Sequence, residues 1–166
     1  YNYLKKYNLI KNKHIPDEYK MTSRENRLSL LAGLMDSDGY YDKISNGFEI
    51  IQKNKKLADD IVFLVRSLGM RATIKECEKS CMYKGERKCG IYQRITISGN
   101  GLDEIPVLLK RKKARPRKQI KNPLNTGIKV VPLEENEYYG FQIDGNSRFL
   151  LGDFTVTHNT SMAKNG

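Results

Sequence analysis

The chain has 166 residues and a formal net charge of +11 at pH 7, from 30 Lys and Arg against 19 Asp and Glu. Its length suffices for one good core or two small ones, and its basic excess points to a polyanionic partner, nucleic acid ahead of a membrane surface. No apolar run reaches bilayer-spanning length and no secretory signal opens the chain, so no membrane partner is expected.

Residues 1–21 are basic and aromatic, and Pro16 closes off any helix before it. They read as a linker arriving from an earlier part of a longer protein, with His14 as an ordinary linker residue. Thr22 followed by Glu25 has the spacing of a capping box, which predicts a helix through Leu28, Leu30, Leu31, Leu34 and Met35. Ala32 and Gly33 leave one face almost bare, so that a second helix backbone can approach closely. Asp36 and Asp38 are expected to project from a turn closed by Gly39. Carboxylates at the ends of two tightly packed helices are placed to hold a divalent metal between them.

The string Leu31-Ala32-Gly33-Leu34-Met35-Asp36-Ser37-Asp38-Gly39 resembles the LAGLIDADG homing endonuclease motif, differing only at Met35 and Ser37. The resemblance implies that two such helices pack together and that the last acidic residue of each binds Mg²⁺ where DNA is cut. Carried over, that residue is Asp38. Asp36 is a second metal candidate whose alternative is a helix-end or turn ligand. Lys13-His14-Ile15-Pro16-Asp17-Glu18-Tyr19 is similar to the linker between the two endonuclease halves of that family.

Tyr40-Tyr41 and Phe48 to Gln52 flank an Asn46-Gly47 turn, a hairpin signal. Asn54 then caps a helix carrying Leu57, Ala58, Ile61, Val62, Leu64, Val65 and Leu68, with Gly69 just past its end. Arg71 to Cys77 and Gly90 to Ser98 read as two further strands, joined by a charged loop from Glu78 to Lys88 that is a candidate to lie along DNA. Leu102 to Lys113 is expected as a final helix with Pro106 near its start. The three cysteines, Cys77, Cys81 and Cys89, lack a nearby His that completes a zinc pattern. They read as free thiols in an intracellular, reducing compartment, cytoplasm or nucleus.

Residues 22–121 thus show helix, two strands, helix, two strands, helix, the αββαββα order of a LAGLIDADG half, whose four strands form a saddle over the DNA major groove. Arg71, Lys75, Gln93 and Arg94 are the candidate readers of double-stranded DNA on those strands, each with simple solvation as the alternative. Gln52 stands where the family often has a polar residue beside the metal. The basic run Lys110 to Lys118, with Lys112 and Lys113 at its centre, is expected to contact phosphates, or otherwise to be a solvated linker or a nuclear address.

From Thr126 the texture changes. Ile128 to Val131, Tyr138 to Asp144, Arg148 to Leu151 and Phe154 to Thr157 read as short strands separated by Asp-Gly-Asn and Gly-Asp turns. Tyr139 to Leu150 followed by Phe154 to Thr160 resembles the C-terminal end of an intein, so residues 122–159 are expected to supply closing β-strands of a Hint splicing domain. In that chemistry the Asn159 side-chain amide attacks its own main-chain carbonyl, Thr160 is the hydroxyl nucleophile and His158 the general acid. The positions where inteins carry a further His and an Asp hold Ser147 and Gly140, and Asp153 or Asp144 is the candidate substitute.

The expectation is an α+β chain. It is the C-terminal part of an intein with one endonuclease half, needing Mg²⁺ to cut DNA and an N-terminal intein part and flanking exteins to splice. Competing readings are a decayed module that binds DNA without cutting it, and a plain fragment of a host protein. Residues 160–166, Thr160-Ser161-Met162-Ala163-Lys164-Asn165-Gly166, read as C-extein and resemble the continuation after Gly-Lys in AAA+ ATPases.

Overall fold

The computed structural model describes residues 1–83, 85–117, 125, 127, 129–137, 141 and 143–158. The chain divides into two units, Tyr1–Pro123 and Leu124–Gly166.

The first unit is built on helix α3, Arg24–Asp38, whose Leu28, Leu31, Ala32 and Met35 recur at helical spacing and are all buried. The expected cap moves by one residue. Ser23, in extended backbone, accepts from the Asn26 N–H at 3.3 Å, while the Thr22 hydroxyl accepts from the Asn26 side chain at 3.0 Å. Glu25 lies in the first turn, where its charge suits the helix N-terminus. Ala32 and Gly33 do not share a bare face. Ala32 is in the core, whereas Gly33 is exposed with nothing within 4 Å of where a Cβ would stand.

No turn separates the motif helix from the first strand. Asp38 is the last helical residue and Gly39 opens β1, Gly39–Asp42, with φ −78° and ψ 149°. Any residue adopts that backbone, so glycine is required here for space. A Cβ at Gly39 would lie 2.8 Å from both Cα and O of Met35, which is itself fully buried. Gly39→Ala is expected to lower stability by about 1–3 kcal/mol, the usual cost of overpacking, read as an earlier urea midpoint.

β1 pairs with β2, Gly47–Gln52, through a turn in which Asn46 takes φ 49°, as the Asn-Gly signal predicts. Helix α4, Lys55–Ser67, starts where the Asn54 side chain accepts from the Leu57 N–H at 2.9 Å and is followed by Gly69 at φ 81°. β3, Arg71–Tyr83, and β4, Glu86–Ser98, are longer than expected. The segment assigned to a charged loop continues the antiparallel ladder up to the pair Tyr83 and Glu86. The charges of Glu78, Lys79, Glu86 and Arg87 alternate faces and are compatible with a two-sided solvated ribbon.

The four strands form one antiparallel sheet in the order β1-β2-β4-β3. Phe48, Ile50, Ala72, Ile95 and Ile97 point to the helix-covered face and join Leu31, Met35, Ile61, Leu64 and Val65 in one core. The final helix expected over Leu102 to Lys113 is absent. Two 3-10 turns, Leu102–Glu104 and Lys110–Lys112, bracket an irregular stretch. Pro106 has no N–H to give a helix, and the following amides of Leu108 and Leu109 donate to Asp36 instead.

The N-terminal segment is more than a tail. It carries two short helices, α1, Asn2–Lys6, and α2, Asp17–Lys20. Ile15 is buried, its N–H donates to Asp60 Oδ2 at 2.9 Å, and Lys20 Nζ donates to Asp60 Oδ1 at 2.7 Å. Part of the expected linker thus packs on the first unit, with Ile15 in its core. Across the described residues, no helix is long and apolar enough to cross a membrane.

In the second unit the described strands are β5, Arg148–Leu150, and β6, Val156–His158, paired antiparallel. Phe141 packs edge-on against Phe149 at 4.9 Å between ring centres. Residues 129–137 contain no strand, so the strand expected over Ile128 to Val131 does not form at its described positions. Of the strand expected over Tyr138 to Asp144, residues 138–140 and 142 lie outside the described residues, and the rest is not strand.

Candidate carboxylate site and nucleic-acid interface

Two acidic residues of one helix end have different fates. Asp36 is occupied: its Oδ2 accepts from the Leu108 N–H at 2.8 Å and its Oδ1 from the Leu109 N–H at 3.2 Å. Both oxygens thus anchor the segment after β4, the role of a helix-end ligand. Asp38, one turn position on, is exposed and accepts from Gln52 Nε2 at 3.3 Å. Gln52 ends β2, is itself buried, and pairs in register with buried Gln93 on β4. Gln93 in turn donates to Glu76 on β3 at 3.2 Å. Asp38, Gln52, Gln93 and Glu76 therefore form a polar row that continues the core face of the sheet past its last apolar residues.

Among the described residues no group of three or more His, Cys, Asp or Glu is gathered to hold a metal ion. Asp38 offers one exposed carboxylate. That donor fits a divalent cation as one ligand of a shared site, because hard cations take several oxygens and a lone carboxylate satisfies few of them.

No described helix of the first unit covers the other face of the sheet, and alternation assigns its residues. Arg71, Lys75 and Lys79 of β3 point there, with Arg94 and Thr96 of β4 and Glu49 and Ile51 of β2. Lys75 pairs directly with Arg94, and Arg71 with Ser98. Three of the four candidate DNA readers thus share one face. Gln93 does not: as the neighbour of Arg94 it points the opposite way and is buried in the polar row beside Gln52.

The basic run after the sheet also divides. Lys112 is buried and its ammonium donates to Met35 O at 2.7 Å and Asp36 O at 2.9 Å. It caps the free carbonyls of the motif helix rather than facing a phosphate, the expected position for a cation at a helix C-terminus. Lys113 beside it is exposed, as are Lys110 and Arg111. Lys112→Met keeps the stem and removes the ammonium. It is expected to cost about 1.5–3 kcal/mol, the range for hydrogen bonds from a charged group, in chemical unfolding. Lys113→Met is expected to leave the transition in place.

Arg115 and Arg117 are held against the first hairpin. Arg115 Nη2 donates to Lys43 O at 2.8 Å and Arg117 Nη1 to Ser45 O at 3.0 Å. Asn46, buried at the hairpin tip, accepts from Tyr41 Oη at 2.6 Å and from the Arg115 N–H at 3.0 Å, and donates to Arg115 O at 2.9 Å. Sequence reasoning took Asn46 only as a turn residue; the second role depends on a partner 69 positions away. Asp42 braces the same turn, and the Ser45 hydroxyl and Ile44 N–H donated to it hold its carboxyl below the ordinary range.

Cys77 and Cys89 are free thiols, and the side chain of Cys81 lies outside the description. In the second unit His158 closes β6 opposite Arg148. Asn159 and Thr160 lie outside the described residues, as does Gly140. Ser147 takes φ 55°, and Asp153 Oδ1 accepts from the Thr155 N–H at 2.9 Å.

Comparison with known proteins agrees with this architecture. The family described as "Homing endonuclease" matches residues 14–119, starting one residue before buried Ile15. The replicative DNA helicase DnaB of Mycobacterium intracellulare is 26% identical over 165 residues, covering 96% of this chain and 28% of that protein. The homothallic switching endonuclease of Saccharomyces cerevisiae is 29% identical over 162 residues, covering 85% of this chain and 26% of that protein. The chain therefore spans little more than a quarter of each of these relatives. With a family match over most of its length, carried by the helix–sheet unit just described, the chain belongs to the homing endonuclease family.

Proposed function

We propose that the first unit is a LAGLIDADG-type endonuclease half that lies on duplex DNA with its open sheet face and contributes Asp38 to a shared Mg²⁺ site. The observation that carries this is the gathering of Arg71, Lys75, Lys79 and Arg94 on one uncovered face of a four-stranded sheet. The major groove admits a β-ribbon, and cations on that ribbon replace the counterions of the phosphates. Exposed Gly33, with no atom within 4 Å of its would-be Cβ, leaves the motif helix open to a second helix. Such a helix would bring a second carboxylate to Asp38. Bound between them, Mg²⁺ would stabilise the charge that develops as the phosphodiester is cut. Gln52 orients the Asp38 carboxylate, and Lys112 together with the Asp36 contacts fixes the end of the helix that bears it.

Arg71→Ala with Lys75→Ala tests the binding surface. Each lost phosphate contact is expected to reduce the slope of log K against log salt by about 1, so the double variant should lose about 2. An unchanged slope in a titration of duplex DNA would remove this face from the interface.

The second unit is read as the C-terminal part of an intein, a reading that draws support from the similarity to a replicative helicase over 96% of the chain. Its described residues leave Val130, Leu133, Leu150 and Val156 between 57% and 91% exposed. That apolar surface suits a module completed by further strands from an N-terminal intein part. The Asn159 amide nitrogen attacks the Asn159 carbonyl carbon, the Asn159–Thr160 bond breaks, and a succinimide forms. His158 protonates the departing amine, and the Thr160 hydroxyl accepts the acyl group in the preceding step.

A further inference from the structure

The open face carries one feature that general attraction to phosphate does not explain. Glu49, on β2, sits among the cations of β3 and β4, where an acid should oppose DNA binding. Its register partners across the inner and outer ladders are Thr96 and Tyr40. Its carboxylate Oε2 lies 3.6 Å from Nε of Arg94, on the neighbouring inner strand. β2 and β4 are the two central strands of the sheet, so the pair occupies the middle of the face.

The geometry of Arg94 is informative. Its Nε is shielded from water and has no hydrogen-bond partner within 3.5 Å, so the ion pair stops just short of a hydrogen bond. The side chain as a whole keeps 42% of its surface exposed. A guanidinium has two donor edges. Glu49 stands on the Nε side and leaves the terminal Nη1 and Nη2 edge for another planar acceptor. Lys75 and Ile51 are the in-register neighbours of Arg94. Lys75 disfavours a second cation approaching, and neither neighbour supplies an acceptor for the terminal edge.

We infer that Arg94 reads one guanine of the DNA site through its terminal edge and that Glu49 is the positioning residue that makes this reading specific. Guanine presents O6 and N7 as paired acceptors in the major groove, the pattern that a guanidinium edge matches. A phosphate offers paired acceptors too, and an unrestrained arginine takes whichever lies closer. Glu49 blocks that choice: its negative charge repels a phosphate from the spot and tethers the guanidinium over the middle of the sheet. Arg71 and Lys75 have no such acid beside them among the ion pairs of the described residues, and they serve affinity. This inference rests on the proposal that the open face binds duplex DNA.

The test is selection of binding sites from a pool of randomised duplexes by the full-length protein, wild type against Glu49→Gln and Arg94→Lys. Glu49→Gln keeps the shape and removes the charge; Arg94→Lys keeps the charge and removes the fork. Wild type should show a guanine preference at one position of the selected site, and both variants should lose it there. The loss expected is about 5- to 150-fold in discrimination against the wrong base, the fold equivalent of one good bidentate pair. Preferences at all other positions should remain. A selected site whose guanine preferences survive both substitutions, or a loss spread evenly over every position, overturns the role of the pair while leaving DNA binding by this face intact. A wild-type protein that retains no duplex overturns the DNA-binding reading itself, and the pair with it, whereas one that retains duplex without selecting a sequence overturns the role of the pair alone. Thermal melting of both variants separates these outcomes from misfolding, since two partly exposed side chains outside the core should leave the transition nearly unmoved.

Discussion

Asp38→Asn, in protein able to assemble both motif helices, is expected to abolish DNA cleavage while leaving DNA binding in place. The substitution exchanges a carboxylate oxygen for an amide nitrogen and removes the charge that would hold a divalent cation. Several kcal/mol of transition-state stabilisation attributed to a metal of this kind corresponds to a loss of roughly 10³-fold or more in rate. The fold should tolerate the change, because Asp38 is exposed and its described contact is a single 3.3 Å hydrogen bond from Gln52. Asp36→Asn makes an informative contrast. Its carboxylate accepts two backbone amides, so its loss should appear first as lower stability. Plasmid cutting over a Mg²⁺ series, with binding measured in parallel in Ca²⁺, separates the two. An Asp38→Asn protein that cuts at the wild-type rate would leave this half as a DNA-binding module without catalysis.

Asn159→Ala should block release at the Asn159–Thr160 bond completely, because the reacting nitrogen is deleted rather than displaced. His158→Ala should slow release by about 10²–10⁴-fold, the usual contribution of a positioned acid or base. The two variants need not be confused with unfolding. β6 ends at His158, and its ladder runs through backbone groups opposite Arg148, Phe149 and Leu150. Intact mass spectrometry of protein supplied with the N-terminal part measures both the succinimide product and the ligated flanks. Release that persists in Asn159→Ala would end the splicing reading, and would leave the endonuclease assignment untouched.

The linear chain determined most of what local chemistry can specify. Leu28, Leu31, Ala32 and Met35 at helical spacing made one helix, and Asn54 with Gly69 delimited another. Asn46-Gly47 placed the first hairpin and alternation placed the strands. The nine residues ending in Gly39 identified the endonuclease family, which the match over residues 14–119 supports independently. These features were legible because each depends on neighbours within a few positions.

What depended on distant partners was not legible. Whether a lysine meets a phosphate or a helix end is a matter of where the chain returns. Lys112 and Lys113 are neighbours of like chemistry, yet only the first reaches the carbonyls of Met35 and Asp36, more than 70 residues earlier. Asp36 and Asp38 look equivalent in a motif and differ because the amides after Pro106, denied a helix, claimed the first. Gly39 reads as a turn glycine, and only the packing of Met35 against it shows that volume is the constraint. Gln93 and Arg94 were both expected as readers on their strand, although a strand turns adjacent side chains to opposite faces and sends the first into the protein. Sequence sets the kinds of group available, and tertiary structure decides which of them have their charges and hydrogen bonds already satisfied inside the fold and which are left free to act on a ligand.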